Sequence, residues 1–414
     1  MKKFTFLFIL LLSTSFAFAQ LPVGCDGKRY IEDVFKDTTM SVVKYGKNSV
    51  SGGFTTDLYM NVVQPKGDNL AKRPVIVFAF GGGFVQGKRQ DMLSFCQAFT
   101  KKGFVTVTID YRLYNYLLNG LPDSLKITPT IVQASQDMKA AIRYLYKDAK
   151  TTNTFKIDTN NILVGGVSAG AITAMLAAEL DATDPIAPWI AKIIKSEGGL
   201  EGDSGNPGYS TKVKGVINMS GALYQKEWLD KDDAPFISYH GTIDNVVAYG
   251  YGKNVYNFYG NGSGTLYPYA RKIGLPAVLV TVPGGGHTDI YDAQGKYTKD
   301  FADFIVRSHL FTKQIVCGES VTSLATKVND IDYRQVNIYP NPSTSDITLA
   351  LGENAEGGYQ VEVFDLTGRL VFASGKQNDT QYILKKDQIG NGFFVTKVVF
   401  DQKKSVLVKK IIFE

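Results

Sequence analysis

Between about Ser41 and Phe311 the sequence predicts an α/β domain, a mostly parallel sheet with helices on both faces; after Cys317 it predicts a small all-β sandwich. Three observations carry this. Apolar, β-branched runs alternate with segments of helical spacing through the first three quarters of the chain. Those runs are near-continuous rather than alternating, as strands covered on both faces must be. Beyond Cys317 the helical spacing stops and short strands recur around turn residues.

The elements follow in order. Val42 to Tyr45 and Leu58 to Val63 read as an antiparallel opening pair, and Val75 to Phe80 and Val105 to Ile109 as buried strands. A helix is expected from Met92 to Lys102, ended by Gly103. Met138, Ala141, Ile142 and Leu145 share one helical face, giving a crossover helix from Met138 to Ala149. Ile162 to Gly170 carries the next strand with Ser168 at its corner, running straight into an alanine-rich helix over Ala171 to Leu180. Gly215 to Met219, Phe236 to Tyr239 and Ala277 to Val282 complete the sheet, with a last helix from Lys299 to His309. Ala182 to Ser210, rich in Asp, Gly and Pro, interrupts this rhythm and is a candidate lid or pocket wall. Ser320 to Arg334 is polar and reads as a linker. From Gln335, short strands are expected around turn signals at Val336 to Pro342, Thr348 to Leu351, Val361 to Asp365 (with Thr367-Gly368), Phe393 to Thr396 and Ser405 to Ile411.

The ends bound the cellular context. Lys2 and Lys3, an apolar run from Phe4 to Leu12 and the Ala17-Phe18-Ala19 site form a secretory signal peptide over residues 1–19. The domains are therefore 20–317, the linker 318–334 and the C-terminal domain 335–414. No later stretch is long and charge-free enough to span a bilayer. A net charge of +6 without a dense basic cluster gives no support for nucleic-acid binding. Export into an oxidising compartment makes one disulfide and one free thiol the natural arithmetic for Cys25, Cys96 and Cys317, with Cys25–Cys96 and Cys25–Cys317 both open. No cysteine or histidine spacing resembles a metal site, so no metal or cofactor is expected.

Gly166-Val167-Ser168-Ala169-Gly170 sits at the corner between strand and helix, the context of a nucleophile elbow. A tight corner leaves no room for a Cβ at Gly166 or Gly170. Ser168 needs a base, and the chain has three histidines, His240, His287 and His309. His287 follows the last strand in the loop Gly284-Gly285-Gly286-His287, free to turn toward the strand ends. His309 lies within the last helix, and His240 closes a strand where it shapes the loop that follows. Asp244, just beyond that strand, is the orienting acid; Asp289 and Asp292 come after the histidine and are weaker choices. The chain order Ser168, Asp244, His287 suits this sheet topology. Gly81-Gly82-Gly83-Phe84 follows the strand ending at Ala79, so the N–H groups of Gly82, Gly83 and Ala169 are the expected oxyanion donors. Phe84, Tyr111 and Trp189 are candidate pocket aromatics.

Taken as an ordered set, the Gly-Gly-Gly-Phe loop, Asp110-Tyr111-Arg112-Leu113, the serine elbow, His240-Gly241-Thr242-Ile243-Asp244-Asn245-Val246-Val247 and Gly285-Gly286-His287 resemble the α/β-hydrolase carboxylesterases over about Ser41 to Phe311. The family's usual His-Gly-Gly-Gly carries Phe80 in place of its histidine. Asp110, Tyr111 and Arg112 correspond to a structural element behind the oxyanion loop. The resemblance implies a serine esterase; export suggests acetyl or feruloyl esters of polysaccharides as candidate substrates, with lipids or synthetic polyesters open. A peptidase of the prolyl-oligopeptidase type is the rival within hydrolases, since it shares the His-Gly-Thr-x-Asp loop; the short stretch before Ser41 leaves no room for the propeller such enzymes carry. A non-catalytic binding protein on the same fold is the second rival. Asn337-Ile338-Tyr339-Pro340-Asn341-Pro342-Ser343, Val363 to Arg369 and Lys409-Lys410-Ile411 separately resemble the type A sorting domain of the type IX secretion system, which implies that machinery as partner and release or attachment at the cell surface.

Overall fold

A computed structural model of the chain describes residues 24–50, 53–292, 294–321, 337–355, 357–365, 369–400 and 405–414. The expected signal peptide and most of the expected linker, from 322 onward, lie outside the described residues.

The first domain is built on an eight-stranded sheet. Its strands are β1 (Thr38–Ser49), β2 (Thr55–Pro65), β3 (Arg73–Ala79), β4 (Val105–Ile109), β5 (Ile157–Val167), β6 (Val216–Met219), β8 (Phe236–Gly241) and β11 (Ala277–Val282), in spatial order β1-β2-β4-β3-β5-β6-β8-β11. The pairs β1/β2 and β2/β4 are antiparallel and the rest parallel. Every residue of β3, β4 and β6 is buried, the direct result of covering both faces with helices. Those helices are α1 (Leu93–Thr100), α3 (Ser124–Lys150), α4 (Ala169–Glu179), α6 (Ser263–Ile273) and α7 (Thr298–Val316), with short pieces α2 (Tyr116–Asn119) and α5 (Pro188–Ser196). A small second sheet joins β7 (Ala222–Leu223), β10 (Tyr259–Gly262) and β9 (Tyr251–Lys253).

Two helices exceed their expected lengths. The crossover helix begins at Ser124 rather than Met138, capped by Asp123, whose carboxylate accepts the Leu125 and Lys126 amides. Its first half contains Thr128, Pro129, Thr130 and Ser135, residues that weaken the helical signal, and Pro129 stands inside the helix at the cost of one backbone hydrogen bond. Similarly, α7 continues past His309 to Val316 and delivers Cys317 to Cys25. Of the two open pairings, the structure contains Cys25–Cys317, and Cys96 is a buried free thiol.

The C-terminal region forms its own core of Ile347, Leu349, Tyr359, Val361, Val398 and neighbours. Two antiparallel sheets enclose it, β12-β13-β16 (Asn337–Tyr339, Ile347–Ala350, Gln381–Leu384) and β15-β14-β17-β18 (Leu370–Gln377, Tyr359–Phe364, Gly392–Phe400, Ser405–Phe413). This is the expected all-β unit.

Candidate active site

Ser168 occupies the one-residue corner between β5 and α4, with φ 55° and ψ −120°. A side chain other than that of glycine at 166 would strike the backbone of Gly170 and Ala79, and one at 170 would strike Ala79 and Phe80. The corner is therefore forced by close approach of strand and helix, and it holds the serine in a conformation that L-residues rarely adopt. The Ser168 amide donates to Met219 O at 2.7 Å, anchoring the corner to β6.

His287 and Asp244 arrive from the ends of β11 and β8, adjacent parallel strands. The two following loops are locked together: Thr242 N donates to Val282 O and Ile243 N to Gly285 O, both at 3.0 Å. A Cβ at Gly241 would collide with the carbonyls of Gly285 and Gly286. The result is a continuous chain of hydrogen bonds: His287 Nε2 lies 2.8 Å from Ser168 Oγ, and His287 Nδ1 lies 2.7 Å from Asp244 Oδ2. Asp244 Oδ1 accepts the amides of Val246 and Val247, each at 2.9 Å. Burial alone would raise this carboxyl, but His240 and His287 donating to it, with the Val247 amide, outweigh that and hold it well below the ordinary aspartate range. It is thus a fixed anion facing the imidazole. Asp289 and Asp292 are engaged elsewhere, at the Gly286 and Gln294 amides.

The other two histidines are enclosed. His240 lies within hydrogen-bonding distance of Val247 O (3.0 Å) and Ser263 Oγ (2.9 Å), and its Nε2 is 3.3 Å from Asp244 Oδ2. It braces the Asp244 turn from below. His309 packs edge-on to Phe99, and burial lowers its pKa to about 3, keeping it neutral.

The loop after β3 passes over Ser168. Gly82 and Gly83 have φ of 123° and 63°, and Gly82 O accepts the Val85 and Gln86 amides. The amides of Gly82, Gly83 and Ala169 donate to no backbone acceptor in the turns and loops of the described residues. Phe80 is buried and stacked on Tyr111 at 4.2 Å, while the Tyr111 hydroxyl donates to Phe80 O at 2.8 Å. Arg112 grips the buried Asp137 carboxylate. Tyr111 thus props the loop from behind, while Asp110 pairs with Arg89 and Arg112 with Asp137.

A cavity of about 390 Å³ opens over Ser168, lined by Gly81 to Gly83, Val85, Val246, Tyr256, His287 and Tyr291. This corrects the expected pocket aromatics. Phe84 and Tyr111 are buried beneath the loop because their rings complete its support, and Trp189 stands apart, edge-on to Tyr224 and Phe258. Tyr256 and Tyr291 take their place. Tyr291 is four residues past His287, a spacing that could have drawn notice; Tyr256 carries no local signal. Among the described residues, no group of His, Cys, Asp and Glu has the arrangement to hold a metal ion, and no helix is long and apolar enough to cross a membrane.

Residues 57–224 match the family described as BD-FAE, and residues 337–414 match the family described as secretion system C-terminal sorting domain. The fumonisin B1 esterase of Sphingopyxis macrogoltabida is 30% identical over 152 residues, covering 35% of this chain and 26% of that protein, so the match spans about a quarter of the relative's length. Among solved structures, a propionate-bound thermophilic esterase of Thermogutta terrifontis aligns with a TM-score of 0.48 and 21% identity over 66% of this chain and 94% of its own. A truncated carbohydrate esterase from gut microbiota aligns at 0.46 and 22% over 67% and 98%.

Proposed function

We propose that this chain, which carries a BD-FAE domain of the α/β-hydrolase esterase class and a C-terminal sorting domain, is an exported serine hydrolase of carboxylic esters. The observation that supports this reading is the unbroken chain of hydrogen bonds from Ser168 through His287 to Asp244, beneath the glycine loop after β3. His287 Nε2 takes the proton of Ser168 as Oγ attacks the ester carbonyl carbon, and the Gly82, Gly83 and Ala169 N–H groups receive the negative oxygen. Asp244 holds the imidazole in the Nδ1–H form and stabilises the imidazolium. His287 then returns the proton to the departing alcohol, leaving an acyl ester on Ser168. Water, deprotonated by the same imidazole, releases the acid and restores the serine. No cofactor takes part.

Residues 1–19 are read as the signal peptide, 20–317 as the hydrolase domain, 318–334 as the linker and 335–414 as the sorting domain. The type IX secretion machinery is the proposed partner of the last, and the cell surface or medium the destination. Acetyl or feruloyl groups on polysaccharides are the first substrates to assay.

Ser168→Ala in the full-length protein tests the assignment. Hydrolysis of p-nitrophenyl acetate is expected to fall by at least about a thousandfold, and covalent labelling by a fluorophosphonate to vanish, with the thermal midpoint retained. Undiminished turnover or labelling in Ser168→Ala would remove Ser168 from its role.

A further inference from the structure

Asp244 is approached by four donors. Its Oδ1 accepts the Val246 and Val247 amides, and its Oδ2 faces two imidazoles, His287 Nδ1 at 2.7 Å and His240 Nε2 at 3.3 Å. His240 reaches the carboxylate from β8 and is fully enclosed.

A buried polar chain behind His240 sets the direction of its hydrogen bonds. Asn218, on β6, accepts the Gly221 amide with Oδ1 at 3.0 Å, which leaves Nδ2 as the donor end of that side chain. Nδ2 donates to Ser238 Oγ at 2.9 Å and to Ser263 Oγ at 3.5 Å. Ser263, the first residue of α6, then has its own hydroxyl hydrogen to give to His240 Nδ1, 2.9 Å away. A ring nitrogen that accepts carries no hydrogen, so the N–H of His240 is at Nε2. The other side of the ring asks for the same tautomer, because Val247 O, 3.0 Å from Nε2, can only accept. That N–H lies between Val247 O and Asp244 Oδ2. Asn218, Ser238, Ser263 and His240 are all shut off from solvent.

We propose that Ser263 and His240 are positioning residues for the candidate triad: Ser263 fixes the Nε2–H tautomer of His240, and that N–H holds Asp244 Oδ2 in place against His287. The inference rests on the serine-esterase reading, in which Asp244 orients His287. A carboxylate shared between two imidazoles holds the His287 N–H less strongly than one left to it alone. Loss of the His240 bond therefore tightens the hold of Asp244 on the imidazolium, and His287 stays protonated to higher pH.

The other titratable groups around these rings are few. Tyr249 lies edge-on to His240 at 5.6 Å, its hydroxyl 2.9 Å from Thr281 Oγ1. Tyr291 meets Ser220 Oγ at 2.6 Å, and burial pushes its hydroxyl well above the usual tyrosine range. Asp289, in the turn after His287, accepts the Gly286 amide at 2.8 Å.

Two measurements on the full-length protein test the proposal. The chain has three histidines, so nitrogen NMR of labelled histidine side chains, assigned with His240→Phe and Ser263→Ala, reads each tautomer. At pH 8, His240 is expected to carry its hydrogen on Nε2 and none on Nδ1, and Ser263→Ala to mix the two forms. A hydrogen on Nδ1 in the wild type overturns the proposal. In kcat/KM for p-nitrophenyl acetate against pH, the acid limb is expected to move up by roughly half a unit in Ser263→Ala and further in His240→Phe. A limb that stays in place in Ser263→Ala overturns the proposal as well, and this variant decides if His240→Phe does not fold. A merely structural serine, out of contact with Asp244 and His287, would change stability and leave the limb where it is. The NMR result needs no turnover, so it stands or falls apart from the role of Ser168, which Ser168→Ala tests.

Discussion

The hydroxyl of Tyr256 donates a 2.6 Å hydrogen bond to the carbonyl oxygen of Gly83, joining residues 173 positions apart in the chain. The contact pins the Gly82-Gly83 loop to the β9–β10 hairpin, and a Cβ at Gly83 would press on the same hydroxyl, 2.7 Å away. Gly83 has no side chain to hold it, so its orientation depends on such outside restraints.

Tyr256→Phe keeps the ring and removes only this restraint. In the proposed mechanism this loop supplies oxyanion donors, and misaligned donors weaken transition-state binding more than substrate binding, so that mechanism predicts that kcat falls about tenfold with KM little changed, a fraction of the hundredfold or more that follows loss of a whole donor. Steady-state kinetics on p-nitrophenyl acetate would show it. A rise in KM at constant kcat would instead make Tyr256 a simple pocket wall.

The corner at Ser168, the turn at Asp244 and the loop at His287 could be read from the sequence because each is a local device: glycines at fixed offsets, placed where a buried strand ends. The sheet was legible for the same reason, since β3, β4 and β6 are unbroken apolar runs. What escaped depends on distant segments meeting. Tyr256 and Tyr291 reach the cavity only through tertiary packing, and Phe84 and Tyr111 look like pocket aromatics until their rings are seen propping the loop from beneath. Phe80 stands where a histidine is usual, and only the stack on Tyr111 reveals that an aromatic contact holds this loop. Neither spacing nor count could choose between Cys96 and Cys317, because α7 runs two turns beyond its expected end.

That disulfide encloses a loop of 292 residues and ties the N-terminal segment to the end of α7. A bridge over so long a span removes much freedom from the unfolded chain, so Cys25→Ser/Cys317→Ser is expected to lose about 2–4 kcal/mol of stability, read from denaturant unfolding. Cys96 offers no substitute: it is fully buried, and burial pushes its thiol up to about 12. The folded wild-type protein should therefore show no thiol reactive toward a disulfide reagent at pH 8, and one after unfolding without reductant. A reactive thiol in the folded protein would contradict the pairing.

Glu179, the last residue of α4, is buried with neither carboxylate oxygen in a well-formed hydrogen bond; a weak backbone contact from the Ala234 amide favours its charged form but does not offset burial. Burial first, then the charge of Asp233, raises its carboxyl well above the usual glutamate range. Asp184 and Asp233 are themselves raised to about 6 by burial, with neighbouring aspartates adding to it. A carboxyl whose folded pKa is raised holds its proton in the folded state after the unfolded chain has released it. Its contribution is therefore fully present below the unfolded value of 4.5 and is lost as pH climbs through the folded value. Glu179→Gln carries a permanently neutral group of the same shape and escapes this loss. The variant is expected to melt at a higher temperature than wild type at pH 8, with the difference shrinking toward zero near pH 4, where both proteins are neutral at this position. Thermal melts by circular dichroism across pH 4 to 8 measure it, and a gap that does not change with pH would mean that Glu179 does not titrate with folding.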